Sequence, residues 1–230
     1  MREIVFDTET TGFSFADGDR MVEIGCIEMV NRVETGRSFH AYFHPERAMP
    51  AEAQRIHGLS DAFLADKPLF AHTVEALLEF LGDAPLVAHN ANFDFGFLNG
   101  ELGRCGKLPI GMHRMVDTIV IARTRHPGAK HSLDALCSRY GIDRSARTFH
   151  GALLDAQLLA QVYVELTGGR QIGLGLVAEA RAENRQIVAN AAPAIVRPAR
   201  SFPASAAELA RHAAFLNTVS NPLWGTEASG

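Results

Sequence analysis

Cysteine is scarce in this chain. Cys26, Cys105 and Cys137 are odd in number and widely spaced, with no C-x-x-C pair. That argues against a zinc site and against a disulfide framework, and leaves buried free thiols in a reducing cytoplasm. Long apolar runs are missing as well: nothing approaches the roughly 18 consecutive apolar residues of a membrane span. No charged segment with an apolar stretch behind it precedes the strand-like REIVFD, which predicts a protein that is not secreted. There is no internal repeat. A net positive charge is lacking too, with 22 Lys and Arg against 26 Asp and Glu, a formal −4. For a nucleic-acid binder that total looks wrong, so the distribution matters more.

Residues 104–147 carry nine Lys and Arg against Asp117, Asp134 and Asp143, while the remainder of residues 1–169 carries seven against 19 acids. A basic stretch beside an acidic centre suits a phosphate backbone led to bound cations. The bland alternative is a solvated charged face.

The 230 residues suit one sizeable domain plus an extension. Hydrophobic patterning predicts strands over 2–7, 21–30 and 37–43, joined by short turns into an antiparallel meander. Helices are expected over 51–60, stopped by Gly58, and over 73–82, stopped by Gly82. Pro85 opens a short strand over 86–89, and residues 91–106 read as a helix with Phe93, Phe97 and Leu98 as its core face. A strand running into a helix follows over 116–126, then a helix over 131–141. The clearest helix spans 150–169, with Leu154, Leu158, Leu159 and Val162 inward. That order predicts an α/β domain over 1–170, with about five strands and helices on both faces.

Beyond Gly169 the composition turns to Ala, Gly, Arg and Pro, which predicts a flexible linker over 171–203 with at most one weak helix at 176–190. Residues 204–217 read as a helix inside a tail, 204–230, that carries Phe202 just ahead of it, Leu209, Phe215, Leu216, Leu223 and Trp224. A flexible tether ending in an aromatic-rich helix reads as a docking segment; the alternative is that it packs back on its own core.

Five residues stand out for chemistry. Asp7 and Glu9 in FDTETTG are two residues apart, and strand alternation puts them on one face. Two such carboxylates repel unless a cation lies between them; the alternative is a hydrated pair at a strand end. Asp94 stands between Phe93 and Phe95, where an ionised carboxylate is costly unless paired or metal-bound, or else sits at a helix start near the dipole. His150 precedes the last long helix and Asp155 lies on it. A histidine of ordinary basicity suits proton abstraction from water, though a helix-entry histidine with a satisfied hydrogen bond would look the same. Hard oxygen ligands gathered from three segments make a site for two divalent cations, so the residues predict a metal-dependent nuclease.

Taken in order, these segments resemble the three motifs of the DnaQ-like exonuclease superfamily in its histidine-bearing (DEDDh) branch. Residues 6–12, 90–94 and 150–155 correspond to its first, second and third motifs. The sister branch carries tyrosine where His150 stands. The segments VEIGCIEMVNR, IHGLSDAFLADKP and RTFHGALLDAQLLAQVYVELTGG extend the likeness, over about residues 2–170, to the epsilon family of proofreading subunits of bacterial DNA polymerase III. The resemblance implies a ribonuclease H-like mixed five-stranded sheet. It also implies 3′–5′ removal of mispaired terminal nucleotides as 5′-monophosphates with two Mg²⁺ or Mn²⁺ ions.

Carried over, Asp7, Glu9, Asp155 and Asp94 would hold the metals and His150 would be the general base. Thr10, His57, Asn90 and Phe93, with Asp7, Glu9 and Asp155, would contact the DNA 3′ end; Asp117 also fits a position near the site. The family further implies the polymerase III catalytic (alpha) subunit as partner of the tail, a cytoplasmic replisome, and a sliding-clamp contact at residues 171–176, QIGLGL. That last segment lacks the usual terminal aromatic and reads equally well as a linker start. Two rivals stand beside this reading: a free-standing DEDDh exonuclease on RNA or repair DNA, and a catalytically silent polymerase scaffold. The intact acidic set argues against the second.

Overall fold

The computed structural model describes residues 1–145, 149–169 and 203–220. The expected linker helix, the 171–176 segment, Phe202, Leu223 and Trp224 lie outside them. The chain divides into two units, Met1–Gly175 and Leu176–Gly230.

In the first unit, β1 (Arg2–Thr10) runs three residues past the expected end at Asp7. Its neighbour explains the extension: β2 (Met21–Val30) pairs with it antiparallel throughout, Asp7 opposite Gly25 and Glu9 opposite Glu23, with a register shift only between Glu9 and Thr10. The polar run DTET thus stays in strand because the ladder, not its own apolar content, holds it. β3 (Val33–Tyr42) likewise begins earlier than residue 37. Asn31 and Arg32 take φ of 51° and 65°, the two-residue turn whose twist matches an antiparallel hairpin. The first half of β3 is solvent-exposed and carries no apolar alternation to announce it.

Helix α1 (Ala51–His57) ends at Gly58 in the left-handed region, and α2 (Asp61–Leu64) and α3 (Val74–Leu81) follow. Next come β4 (Leu86–Ala88), α4 (Ala91–Arg104), β5 (Met115–Asp117), α5 (Thr118–Arg125), α6 (Leu133–Tyr140) and α7 (Ala152–Leu166). The sheet order is β3-β2-β1-β4-β5, with β4 parallel to both β1 and β5. This mixed five-stranded sheet with helices on both faces is the ribonuclease H-like architecture.

Strand alternation sorts the core. Ile4, Phe6, Ile24 and Leu86 pack against α3 and α4, while Val5, Ile27, Met29 and Val87 pack against α7. Each such Phe, Ile or Leu contributes about 1.5–3 kcal/mol by leaving water. On α4 the buried face is Phe95, Phe97, Leu98 and Leu102; Phe93, expected in the core, is only half-buried at its rim. Leu154, expected inward on α7, is also only partly buried. Where α7 crosses β2 the approach is extreme: a Cβ on Gly25 would lie 2.3 Å from Leu153 Cα. The three cysteines are free, and among the described residues no helix is long and apolar enough to cross a membrane.

The described part of the second unit is α8 (Ala206–Leu216). Ser205 and Glu208 form a reciprocal capping box at its start, and Leu209 and Phe215 stand exposed on it.

Candidate active site

Three elements deliver the acidic residues. Asp7 and Glu9 share the α7-facing side of β1; Asp94 is in the first turn of α4; Asp155 is in the first turn of α7, one turn after Gly151 caps it. Asp94 is thus both buried and at a helix N-terminus, combining the two environments that the sequence left open. The Thr8 hydroxyl donates to its Oδ1 at 2.7 Å. Glu9, Asp94 and Asp155 are buried and Asp7 is half-buried. His150 is half-exposed, with Nδ1 3.3 Å from Asp155 Oδ2. Ligand atoms of Glu9, His150 and Asp155 lie within 4.8 Å of one another. All five line one cleft of about 380 Å³.

The electrostatics follow from this crowding. Burial, and after it the Asp94, Glu9, Asp155 and Glu23 carboxylates, push the Asp7 carboxyl well above the ordinary carboxylate range. Burial also pushes Asp94 up to about 7, against the hydrogen bond from Thr8, which favours the ionised form. A carboxylate set that resists its own charge in this way fits a divalent cation, which removes the repulsion on binding.

A second cleft, about 600 Å³, adjoins the first; Thr8, Glu9 and Phe93 line both. Thr10 and His57 line it, as expected of residues that meet a terminal nucleotide. The Thr10 hydroxyl donates to the Gly12 carbonyl at 2.6 Å, which shapes the turn, so its side chain is already engaged. His57 Nδ1 accepts the Leu59 N–H at 3.0 Å, and its Nε2 is buried without a hydrogen-bond partner. Burial lowers the His57 pKa, an effect that the Thr10 backbone partly offsets. A buried donor beside a cleft, with the Thr10 backbone near it but no well-formed hydrogen bond, is a group suited to a ligand's acceptor.

Asn90 and Asp117 serve the frame. Asn90 caps α4 in the left-handed region at φ 66°, and its N–H donates to Asp117 Oδ1 at 3.2 Å. The same oxygen caps α5 by accepting the Ile119 N–H at 2.8 Å. Asn90 is exposed and outside both clefts, so the structure does not place its side chain with the other expected contacts.

Sequence reasoning missed Phe13, Glu52 and Ile56, which line the second cleft. Helical spacing was the available signal for two of them, since Glu52 and Ile56 are one turn apart on α1. It also missed His89, which lines the first cleft with Nδ1 2.8 Å from the Thr118 hydroxyl and Nε2 unpartnered.

Residues 4–163 match the Exonuclease (RNase_T) family. The DNA polymerase III subunit epsilon of Rickettsia felis is 47% identical over 229 residues, spanning 95% of this chain and 97% of that protein. That of Escherichia coli K12 is 43% identical over 228 residues, spanning 95% and 93%. The chain belongs to the DNA polymerase III epsilon family. Among solved structures, exonuclease X in complex with 5′-overhanging duplex DNA superposes with a TM-score of 0.56 at 25% identity, over 71% of this chain and 90% of that one. A structure of exonuclease I superposes at 0.63 over 82% of this chain and 45% of that one; at 19% identity it shows the fold alone. As an epsilon family member the chain is a proofreading 3′–5′ exonuclease. It is a subunit of DNA polymerase III, within a divalent-metal-dependent exonuclease family.

Proposed function

We propose that this epsilon-family exonuclease uses two Mg²⁺ or Mn²⁺ ions, with Asp7, Glu9 and Asp155 holding one and Asp7 with Asp94 supporting the other. The observation that carries this is the convergence of carboxylates from β1, α4 and α7 on one cleft, where burial first and then their mutual repulsion raise the Asp7 carboxyl well above its ordinary range. Oxygen ligands suit both metals. When bound, such a pair stabilises the entering and the leaving oxygen of an in-line displacement at phosphorus. His150 is the general base. Its Nδ1 faces Asp155, which orients the ring, so Nε2 takes the proton of the attacking water. Replacing His150 with Ala is expected to lower kcat about 10²–10⁴-fold, the worth of a positioned proton acceptor, in single-turnover release of the 3′ nucleotide.

Specificity for mispaired ends comes from the second cleft. The terminal base leaves its partner to reach Phe93 and His57, and an unpaired base costs less to move than a paired one. The test is a 5′-labelled primer with a matched or mismatched 3′ end, beside RNA of the same sequence, in Mg²⁺. Faster shortening of mismatched DNA, abolished by EDTA, supports the reading. Preference for RNA would move the protein to RNA processing, and no cleavage with either metal would favour a scaffold.

The tail docks on the polymerase catalytic (alpha) subunit through the apolar residues of α8, Leu209 and Phe215, in a cytoplasmic replisome. Truncation after residue 190 is expected to keep nuclease activity and lose polymerase binding in a pull-down. Binding that survives truncation would overturn the assignment. Residues 171–176 are proposed to touch the sliding clamp weakly, and a 170–180 peptide that fails to bind the clamp would dispose of that contact.

A further inference from the structure

A buried acid outside the metal set lies beside it. Glu23 is 3% exposed, and the β1–β2 register sets it directly opposite Glu9. Paired residues of an antiparallel ladder project to the same side with Cβ atoms about 4.5–5.5 Å apart. Glu23 therefore shares the α7-facing side of the sheet with Asp7 and Glu9, yet it lines neither cleft. Its partner lies away from the site: His40, next along the sheet on β3, has Nε2 2.7 Å from Glu23 Oε1. The His40 ring meets the Tyr42 ring edge-on at 4.8 Å, and Tyr42 pairs with Glu23 across the β2–β3 ladder. A carboxylate buried on the same side of the sheet as its cross-strand carboxylate costs stability unless something uses the charge.

We propose that Glu23, tied back by His40 and flanked by Tyr42, is a positioning residue for the metal site. Its charge keeps the Glu9 carboxylate turned forward, towards Asp7 and Asp155, and deepens the negative potential that draws a divalent cation. The Glu23 charge is already felt at Asp7, where it is one of the causes that raise the carboxyl. The inference rests on the proposed role of Asp7 and Glu9 as metal ligands.

The test is Glu23→Gln in the full chain, with Mn²⁺ binding followed by calorimetry and by the EPR signal of free Mn²⁺. The amide keeps the shape and the hydrogen-bonding capacity while removing the charge. Mn²⁺ affinity is expected to fall about 10-fold, the scale of losing one partly screened unit charge a short distance from a dication. kcat at saturating Mn²⁺ should stay within about threefold of the parent, since no reacting group is removed. Melting in EDTA should be unchanged or higher, because a repulsion is gone. Unchanged Mn²⁺ affinity would overturn the proposal, and lower melting in EDTA with unchanged affinity would make Glu23 a purely structural tie. Asp7→Asn measured alongside separates the two layers. If Asp7→Asn also leaves Mn²⁺ binding intact, the ligand assignment itself has failed rather than the role of Glu23.

Discussion

Replacing Asp7 with asparagine is expected to reduce 3′-nucleotide release about 10⁴–10⁶-fold, the scale seen when an essential catalytic group is removed. The same change should make the metal-free protein harder to melt. Both follow from one fact: Asp7 carries its carboxylate into burial and into the field of Asp94, Glu9, Asp155 and Glu23, which together push it well above its ordinary range. Asparagine keeps the volume and removes the charge. The apo site loses a repulsion, and the metal loses the ligand proposed to serve both ions. Single-turnover assays and melting in EDTA check the pair. Retained activity would sink the metal assignment, and a lower melting temperature would mean that Asp7 contributes structure rather than strain.

Asp94 makes the stability of the metal-free protein fall as pH rises. Its folded pKa is about 7, against about 3.9 for an unfolded aspartate. The folded state therefore binds the proton more tightly than the unfolded state does. That contribution is full below about pH 4 and is lost progressively as pH rises to about 7. The shift of roughly three units corresponds to at most about 4 kcal/mol. For a domain of this size that is on the order of 10 °C in melting temperature. In EDTA, melting should drop from pH 5 to about pH 7 and level off towards pH 8. Mg²⁺ or Mn²⁺ should restore it at pH 8 and do little at pH 5, where protons compete for the same oxygens. A melting temperature in EDTA that is flat or rises over that range would count against a buried, proton-holding Asp94.

The site was legible because its chemistry is written in residue types that are costly elsewhere. Asp94 between two phenylalanines and the D-x-E pair on one strand each need an explanation, and the structure brings them to one cleft with His150 and Asp155. Helices α1, α3, α6 and α7 were readable from glycine stops and apolar spacing. What escaped was set by partners distant in sequence. The last three residues of β1 are polar and remain strand only because β2 runs beside them. The exposed start of β3 is fixed by a two-residue turn whose Asn-Arg sequence lacks the glycine that usually marks such hairpins. On α4, Phe95 packs against Phe6 under the sheet, while Phe93, one turn before Phe97, lies at the open end of the helix and is left at the mouth of the clefts. Glu52 and Ile56 escaped because an exposed helix face beside a turn carries no charge pattern to single it out.

The contact between Gly25 and the first turn of α7 gives the site a ruler. Gly25 pairs with Asp7 on the next strand, and Asp155 belongs to the turn of helix that rests on Gly25. The separation of the two backbones that carry these carboxylates is thus gauged by main chain meeting main chain, with no intervening side chain whose rotamer could open it. Cations are told apart by ionic radius and by how closely their ligands must approach. If Asp7 and Asp155 hold a cation as proposed, backbones fixed in this way resist widening for a larger ion such as Ca²⁺. One methyl group at position 25 would act as a shim, pushing the first turn of α7, and Asp155 with it, away from β1 while leaving every charged residue chemically intact.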